Sequence, residues 1–423
     1  MSLLERLSQP AVWESFYEYK TSLALPRRDA ERLRRFIDEK GYLPVCESIR
    51  AGGRFPLPEK SVISKLSSQK KRVVYTYPEA ENRVLKLLTY LMLRKYDGAF
   101  PSGLYSFRPG RTAKDALTGL LRLPVQRMYS YKADVSNYFN SIEIPRLLPM
   151  LRETLEDDPE LYRFLAALLS EPEALENGLP VVEQKGIMAG TPIASFFANL
   201  FLADLDRHFE RAGVPYRRYS DDIILFGSTP EETAQHAAFV RDFLAENGLF
   251  LNPAKECFSS PEEGFTFLGF MVSGDTVDVA PVSVQKLKAK MRRKTRALAR
   301  WRDKNGLEGE KAAKAFIRVF NRKLFENPQD SELTWTYWFF PVINTAASLN
   351  EIDRYAQECV RYLISGARTK ARFAVRYERM KALGLKNLVH AYYDFSEEEQ
   401  ARRNRGRKPS APPAESTCES RPE

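Results

Sequence analysis

Three aspartates have the residue type and spacing to do chemistry. Asp134 ends an extended run that starts at Tyr129, and Asp221 and Asp222 lie at the tip of a predicted β-hairpin. Paired acids in a turn often mark no more than a solvated turn, but here uncharged, β-prone segments flank both acidic sites. The carboxylates would then lie at strand ends over a half-buried sheet, where like charges cost free energy unless a cation offsets them.

Phosphoryl transfer gives a chemical reason for such an arrangement. Two divalent cations about 3.5–4 Å apart can activate an attacking hydroxyl and stabilise a leaving pyrophosphate. Mg²⁺ prefers hard oxygen ligands and retains waters and substrate phosphates, so two or three carboxylates are enough. The acids therefore predict a magnesium-dependent site.

Composition excludes several other chemistries. The chain has four cysteines, none in a C-x-x-C pair, and three histidines, none at ligand spacing from a cysteine, so neither a zinc site nor a disulfide framework is expected. The 423 residues are 43% hydrophobic, as in a soluble protein of two or three sub-domains. No apolar run could span a bilayer and no secretory signal is present, so we expect a cytoplasmic protein without membrane contact.

The net charge of +10 is concentrated between Lys286 and Lys323. Such a run often only solvates one face of a helix. The alternative is a nucleic-acid footprint, because clustered cations gain free energy by releasing condensed counterions from phosphates. The motifs described below favour the second interpretation, and the candidate nucleic-acid-binding residues in this run are Lys288, Arg292, Arg293 and Arg296.

Strands and helices interleave without a strict β-α-β period, so we predict an α+β fold and not a doubly wound sheet. The first ~55 residues are expected to be helical. Strands are expected at Arg72 to Tyr77, near Phe250, and from Phe265 to Val272. Beyond Pro281 only helices are expected, and their candidate core residues are Trp301, Phe316, Phe320, Trp335, Trp338 and Phe339.

Seven blocks, in order between about residues 70 and 272, resemble the motifs of reverse transcriptases. They are KKRVVYTYPEAENRVLKLL (70–88), LYSFRPGRTAKDAL (104–117), KADVSNYFNSI (132–142), GIMAGTPIASFFANLFL (186–202), YSDD (219–222), GLFLNPAKECF (248–258) and FTFLGF (265–270). The resemblance implies an RNA-directed DNA polymerase with a right-hand architecture. Its regions would be a helical N-terminal extension (1–60), fingers and palm (61–282), a basic helical thumb (283–395) and a disordered tail (396–423).

The resemblance also implies catalytic roles. Asp134 and Asp221 would bind two Mg²⁺ ions, and Asp222 would support the site. Lys255 matches a lysine that protonates the leaving pyrophosphate as a general acid, although a plain surface lysine is the alternative. Phe139 matches the steric gate that selects dNTPs by clashing with a ribose 2′-hydroxyl, or else it is a core aromatic.

Four further positions match residues near the incoming nucleotide. Lys71 and Arg72 match a basic pair that clamps the triphosphate, or they form a solvated cationic turn. Gly190 would let the backbone approach the nucleotide closely. Ala189 stands where relatives commonly have a glutamine that contacts nucleotide and template, which puts dNTP affinity and conventional templating in question.

Arg108 and Arg111 in the SFRPGR segment would either contact template phosphate or brace the fingers. The sequence does not separate these two alternatives.

Segments outside the seven blocks resemble bacterial defence-associated reverse transcriptases of the unknown-group and abortive-infection lineage, most closely the type 2 class. They are WESFYEYK, FIDEKGYLPVCESIRAGG and ERMKALGLKNLVHAYYDF. This resemblance implies a structured non-coding RNA as template and a cDNA product active against phage. Retron and group II intron enzymes are alternatives, although VSG replaces the retron VTG and no nuclease module follows.

Other functions remain open. One is an RNA-binding scaffold with a vestigial site. Another is protein-primed, template-independent DNA synthesis, for which Tyr392 or Tyr393 would supply the hydroxyl. An RNA-dependent RNA polymerase shares the palm but usually lacks an aromatic gate.

Overall fold

The computed structural model describes residues 1–23, 25–64, 71–183, 186–326 and 334–406. The helices are α1 (Leu3–Arg6), α2 (Pro10–Ser22), α3 (Arg27–Asp38), α4 (Leu43–Arg50), α5 (Glu79–Lys95), α6 (Ala113–Leu121), α7 (Tyr138–Ser141), α8 (Ile144–Thr154), α9 (Pro159–Ser170), α10 (Ala194–Phe201), α11 (Ala203–Arg211), α12 (Pro230–Glu246), α13 (Pro281–Lys304), α14 (Gly309–Phe325), α15 (Trp335–Phe339), α16 (Ala347–Ser365), α17 (Tyr377–Ala382) and α18 (Leu388–Gly406). The strands are β1 (Glu59–Ser64), β2 (Lys71–Thr76), β3 (Tyr129–Asp134), β4 (Glu173–Glu176), β5 (Leu179–Val182), β6 (Tyr216–Tyr219), β7 (Asp222–Gly227), β8 (Cys257–Ser259), β9 (Phe265–Phe267), β10 (Phe270–Ser273) and β11 (Thr276–Val279). The predicted α+β class is confirmed. Across the described ranges, no helix combines the length and apolarity needed to cross a membrane.

The central sheet carries the acidic motifs. Its strand order is β6–β7–β3–β8, with antiparallel neighbours throughout. Tyr131 and Ala133 of β3 and residues 223–226 of β7 are buried, and helix α12 packs against both strands. Since successive side chains of a strand point to opposite faces, both faces of β7 are covered. Helices α6 and α11 pack against β6. Since the β6–β7 hairpin lies beside β3, its turn comes to the end of β3.

A second sheet, of order β2–β1–β4–β5, begins with the antiparallel β1–β2 hairpin. The N-terminal helices are part of the same hydrophobic core as the central sheet. Trp13 of α2 stacks on Tyr42, with ring centroids 4.9 Å apart. Asp158 caps two helices, accepting from the N–H groups of Leu3 (2.7 Å) and Leu161 (3.2 Å). The predicted helical character of the first ~55 residues is confirmed.

Some predicted elements differ from the structure. Near Phe250 there is only an isolated bridge between Val135 and Leu251, so the strand expected there was wrong. The stretch from Phe265 to Val272 forms two strands, β9 and β10, because positive φ angles at Leu268 and Gly269 (+49° and +92°) turn the chain back between them. Strand β11, which pairs with β10, was missed.

The chain divides into two compact units: Met1–Lys290 with Phe325–Thr345, and Met291–Leu324 with the residues from Ala346 onward. The described residues of the segment 325–345 belong to the first unit, although the sequence analysis assigned the whole range 283–395 to one thumb. Phe339 packs on Phe270 of β10 at 5.0 Å. The Asn344 side chain accepts from the N–H of Val277 in β11 (2.8 Å).

The second unit is helical in its described part, as predicted. Phe316 and Phe320 of α14 are buried as expected, but Trp301 is 39% exposed and does not belong to the core. Helix α18 continues to Gly406, so the prediction of disorder was wrong for residues 396–406. That stretch is rich in strong helix formers, and its Ser396 hydroxyl donates to the carbonyl of Tyr392 (2.9 Å). Residues 407–423 lie outside the described part.

Candidate active site

Antiparallel pairing brings the two acidic motifs together. In the β3–β7 register, Asp134 is the partner of Asp222. The backbone N–H of Val135 donates to the carbonyl of Asp221 (3.1 Å). Asp134 is 4% exposed, whereas Asp221 and Asp222 are half-buried. The three acids singled out from the sequence therefore meet at one end of the central sheet.

The turn before Asp221 depends on an unusual backbone conformation at Ser220. Its φ is +61°, a region that residues other than glycine rarely adopt. The Ser220 N–H donates to the Ser106 hydroxyl (2.9 Å), which in turn donates to Asn199 Oδ1 (3.1 Å). Asn199 Nδ2 donates back to the Ser106 carbonyl (2.8 Å). Ser106 and Asn199 are fully buried, so this closed set of hydrogen bonds holds the turn in place.

A fully buried ion pair lies beneath the same turn. Arg218 binds Asp206 through two nitrogens, at 2.5 and 2.8 Å, and Asp206 also accepts from the Tyr216 hydroxyl (2.7 Å). Arg218 donates further to the carbonyls of Asn199 (3.0 Å) and Ser220 (3.3 Å). Burial opposes the charge of Arg218, but Asp206 outweighs it and raises the pKa of the guanidinium. The pair therefore stays ionised and links helix α10 to the turn.

Lys255 brings a positive charge to the acids. Its ammonium forms an ion pair with the carboxylate of Asp134. The N–H of Asn252 donates to the carbonyl of Asp134 (2.8 Å), which fixes the short 3-10 turn Pro253–Lys255 beside β3. Partial burial disfavours the charged lysine, but Asp134 more than offsets this, and the pKa of Lys255 is raised. A protonated amine is thus held at the acidic cluster.

Burial and the neighbouring charges both act on the carboxyl group of Asp222. Its pKa is raised, chiefly by burial and then by the nearby carboxylates of Asp221 and Asp134, while Lys132 and Lys255 act in the opposite direction. A divalent cation would relieve this repulsion, and carboxylate oxygens are the ligands that Mg²⁺ prefers.

The three aspartates fit a metal ion through the chemistry of their donor atoms, which are carboxylate oxygens. Within the ranges that the structure describes, no group of three or more His, Cys, Asp or Glu side chains is already arranged as a metal site. Asp134 instead uses the ammonium of Lys255 as its counter-charge. An ion bound here would add positive charge beside the carboxylates.

Phe139 is half-buried, in contrast to its neighbour Tyr138, which is buried. The four-residue helix α7 begins after Asn137, whose φ is +47°. The Phe139 ring meets Phe107 edge-to-face at 6.4 Å. Phe139 packs against the hydrophobic core and keeps part of its ring accessible, so both alternatives, steric gate and core aromatic, stay open.

Ala189 and Gly190 lie against strand β2. Ala189 is 1% exposed, and its carbonyl accepts from the N–H of Tyr75 (2.8 Å). Gly190 has φ of +102°, and a Cβ there would lie 3.1 Å from the Tyr75 carbonyl and 3.2 Å from Val74 Cβ. At Gly190 the backbone makes a close approach to β2, and its approach to an incoming nucleotide stays a prediction. The side chains of Lys71 and Arg72, also in β2, lie outside the described part.

Arg108 is a structural brace. It is buried and makes five hydrogen bonds, to both carboxylate oxygens and the carbonyl of Asp97 and to the carbonyls of Pro101 and Leu104. All five guanidinium donors are thereby used, which favours the second of the two alternatives for Arg108, a brace, over a contact with template phosphate. Arg111 donates to the Ser102 carbonyl (2.9 Å) and braces the same loop, while remaining half-exposed.

The basic residues of α13 fall in both units. Lys288 is half-buried in the first unit, whereas Arg292, Arg293 and Arg296 are exposed in the second.

Sequence reasoning missed the residues that hold the acidic turn, namely Ser106, Asn199, Asp206 and Arg218. A signal was available for Asn199, which is a polar residue inside the apolar stretch from Pro192 to Leu202. A buried amide there must find hydrogen-bond partners. Its partners lie about 90 residues away in sequence, and the sequence pattern does not reveal them.

Residues 58–272 match the family model described as "Reverse transcriptase (RNA-dependent DNA polymerase)". The match covers just over half of the chain and includes every strand of the central sheet together with the three aspartates and Lys255. The chain belongs to the reverse transcriptase family.

Curated relatives align with parts of the chain. The Retron Ec86 reverse transcriptase of Escherichia coli is 24% identical over 133 residues, which are 30% of this chain and 39% of the relative. The Group II intron-encoded protein LtrA of Lactococcus lactis is 23% identical over 205 residues, 48% of this chain and 33% of the relative. The chain thus spans well under half the length of these relatives.

Solved structures of yeast telomerases are also similar. Apo telomerase from Candida tropicalis superposes with a TM-score of 0.46 and 14% identity, covering 78% of this chain and 61% of that one. Telomerase from Candida albicans in complex with the TWJ fragment of telomeric RNA gives 0.42 and 13%, covering 84% and 71%.

Proposed function

We propose that this protein is an RNA-directed DNA polymerase that transfers nucleotides by a two-metal-ion mechanism. The observation that carries the proposal is the meeting of Asp134 with Asp221 and Asp222, with Lys255 beside them, in a chain of the reverse transcriptase family. Bound Mg²⁺ would activate the primer 3′-hydroxyl and stabilise the leaving pyrophosphate. Asp134 and Asp221 hold the ions, Asp222 supports them, and Lys255 is placed to give a proton to pyrophosphate.

The half-buried ring of Phe139 acts as the gate against a ribose 2′-hydroxyl, which makes dNTPs the substrates. It lies five residues beyond Asp134 along the chain, on a helix whose start is fixed by the φ of Asn137. The basic pair Lys71 and Arg72, at the start of β2, clamps the triphosphate of the nucleotide.

The template in this proposal is a structured non-coding RNA that stays associated with the protein, and the product is its cDNA, made in the cytoplasm as part of defence against phage. Three exposed arginines of α13, Arg292, Arg293 and Arg296, support RNA binding because they carry unshielded cations on one helix. The defence role is supported by the resemblance of the chain to the type 2 defence-associated enzymes.

Primer extension tests the polymerase proposal. Full-length protein is given an RNA template with an annealed DNA primer, dNTPs and Mg²⁺. Asp221→Asn combined with Asp222→Asn should reduce incorporation to background, because both substitutions remove a ligand charge while keeping side-chain size. Asp204→Asn, at an exposed acid on α11, is the matched control and should extend like the wild type. Equal incorporation by the double variant and the wild type would refute the proposal.

Sequencing of the nucleic acid that co-purifies with the protein, with and without phage infection, tests the template and the role. One enriched small RNA, with complementary DNA from the active protein only, is expected. Absence of any enriched RNA contradicts the non-coding RNA part of the proposal while leaving the polymerase part to primer extension.

An RNA-binding scaffold is the second candidate, and Ala189 is the observation that favours it, since relatives commonly have a glutamine there. The two candidates separate in the same assays. A scaffold binds RNA but shows no incorporation that depends on Asp221 and Asp222.

A further inference from the structure

The second unit contains a cavity of about 410 Å³ on the side of α13 that faces α16. It is lined by Arg292, Thr295, Arg296, Tyr355, Glu358, Cys359, Tyr362, Arg368 and Arg372. All of these residues belong to the second unit, whereas the three aspartates belong to the first. The volume is in the range of small-molecule sites.

Charge is the first feature of this cavity. Four arginines line it against a single carboxylate, that of Glu358. Glu358 accepts from Arg361 (2.8 Å) and from Arg372 (2.7 Å), so its charge is already offset. Arg372 also donates to the carbonyl of Arg368 (2.6 Å), which fixes the turn that carries both arginines.

Three of the arginines have no carboxylate partner in the described part of the chain. Arg292 and Arg296 are one helical turn apart on α13, and Arg368 faces the same cavity. Like charges gathered around one concave space repel each other and cost free energy unless an anion is bound. The guanidinium group suits a phosphate in particular, because its planar fork donates two parallel hydrogen bonds.

Aromatic rings are the second feature. Arg368 lies over the ring of Tyr362 at 5.2 Å, and Tyr355 lines the cavity two turns earlier on α16. The floor is uncharged: the Thr295 hydroxyl donates to the carbonyl of Met291 (2.8 Å), and burial raises the pKa of the Cys359 thiol to about 11. This floor and the two tyrosine rings offer an uncharged surface beside the arginines.

We infer that this cavity binds one nucleotide unit, with the phosphate held by Arg292, Arg296 and Arg368 and the base stacked beside Tyr362. Base stacking on an aromatic ring tolerates any sequence, because every base has a π face. The unit is either a free nucleotide or a nucleotide of a bound single-stranded RNA. The inference does not depend on polymerase activity, because the cavity shares no residue with the acidic site.

The experiment uses the full chain carrying Asp221→Asn, so that no polymerisation consumes the ligand. Calorimetry measures the binding of AMP and of inorganic phosphate. Ultraviolet cross-linking of a 5′-phosphorylated single-stranded RNA, mapped by mass spectrometry, reports whether Tyr355 or Tyr362 contacts a base. Tyr362→Ala and Arg368→Gln are the test variants. Tyr362→Phe keeps the ring, and Arg300→Gln removes an exposed cation one turn beyond the cavity on α13.

Tyr362→Ala and Arg368→Gln should each weaken nucleotide binding about tenfold, while Tyr362→Phe and Arg300→Gln stay within about twofold of the parent. Tight AMP binding that RNA displaces assigns the site to free nucleotides. A cross-link to RNA without measurable AMP binding assigns it to the RNA chain.

Two results would overturn the inference. One is that both test variants bind and cross-link like the parent. The other is that inorganic phosphate binds as well as AMP and Tyr362→Ala has no effect, which would mean an anion site without a place for a base. Failure of primer extension in the wild type would refute the proposed polymerase function but leave this binding result unaffected.

Discussion

Replacing Asp206 with asparagine should both destabilise the protein and impair nucleotide incorporation. Asp206 and Arg218 are fully buried, and the carboxylate takes two hydrogen bonds from the guanidinium. In the variant an uncompensated charge stays inside the core, and an amide N–H₂ can face donors of Arg218. Removing one partner of a buried pair costs about 3–5 kcal/mol. Urea unfolding at neutral pH measures the loss.

A second variant separates the effect of the buried pair on protein stability from its effect on the position of the acidic turn. Asp206→Leu with Arg218→Met and Tyr216→Phe removes the charges together with the hydroxyl that bonds to Asp206, and fills similar volume with apolar groups. Such replacements are often neutral or stabilising, so the free energy of unfolding should return to within about 2 kcal/mol of the wild type. The carbonyls of Asn199 and Ser220 still lack their donor. Incorporation should therefore stay at least about tenfold below the wild type in single-turnover primer extension.

The control is an exposed pair on another helix. Arg27 and Glu31 of α3 are joined at 2.9 Å at the surface, and replacing them with Met and Leu should change stability by less than about 1 kcal/mol. Two outcomes refute the reasoning. Asp206→Asn could cost less than about 1 kcal/mol, or the triple variant could recover both stability and full incorporation, which would make the buried pair dispensable for the turn.

Three further predictions follow from the site. Asp222→Asn should raise the free energy of unfolding at pH 7, because the raised pKa of Asp222 means that its ionised form is disfavoured in the folded protein. The gain should vanish as the pH falls below the unfolded-state pKa, and a gain that persists in acid would contradict this. Gly190→Ala should destabilise by about 1–3 kcal/mol in urea unfolding and by more than Gly178→Ala. Both glycines have positive φ, but only Gly190 has backbone within contact distance of a Cβ, so equal losses would disprove the close-approach argument. Phe139→Ala should raise the ratio of rNTP incorporation to dNTP incorporation on the order of tenfold in primer extension. Phe258→Ala, at an exposed aromatic residue of the palm, should leave this ratio unchanged. An unchanged ratio in Phe139→Ala would contradict the role of Phe139 as the gate.

The sequence alone located the acidic motifs and the class of fold. Period-2 and period-3.6 patterns are local, and so are the short motifs around Asp134 and Asp221, so both could be read without knowing which segments touch. The same holds for the helical N-terminus and for the position of Lys255 after the second acidic motif. Composition did not predict helix α18 beyond Ser396. A charged segment can satisfy its backbone hydrogen bonds within a helix, so it needs little apolar burial to be ordered.

The tertiary structure decided which groups surround those acids. Ser106, Asn199 and Arg218 hold the acidic turn through partners far away along the chain, and a pattern that is local in sequence carries no information about such pairings. The same reason explains Arg108, whose five donors are taken up inside the first unit, and Gly190, whose close neighbour is a strand more than 100 residues earlier. Sequence determined which residues could do chemistry; packing and hydrogen-bond satisfaction determined which are free to do it.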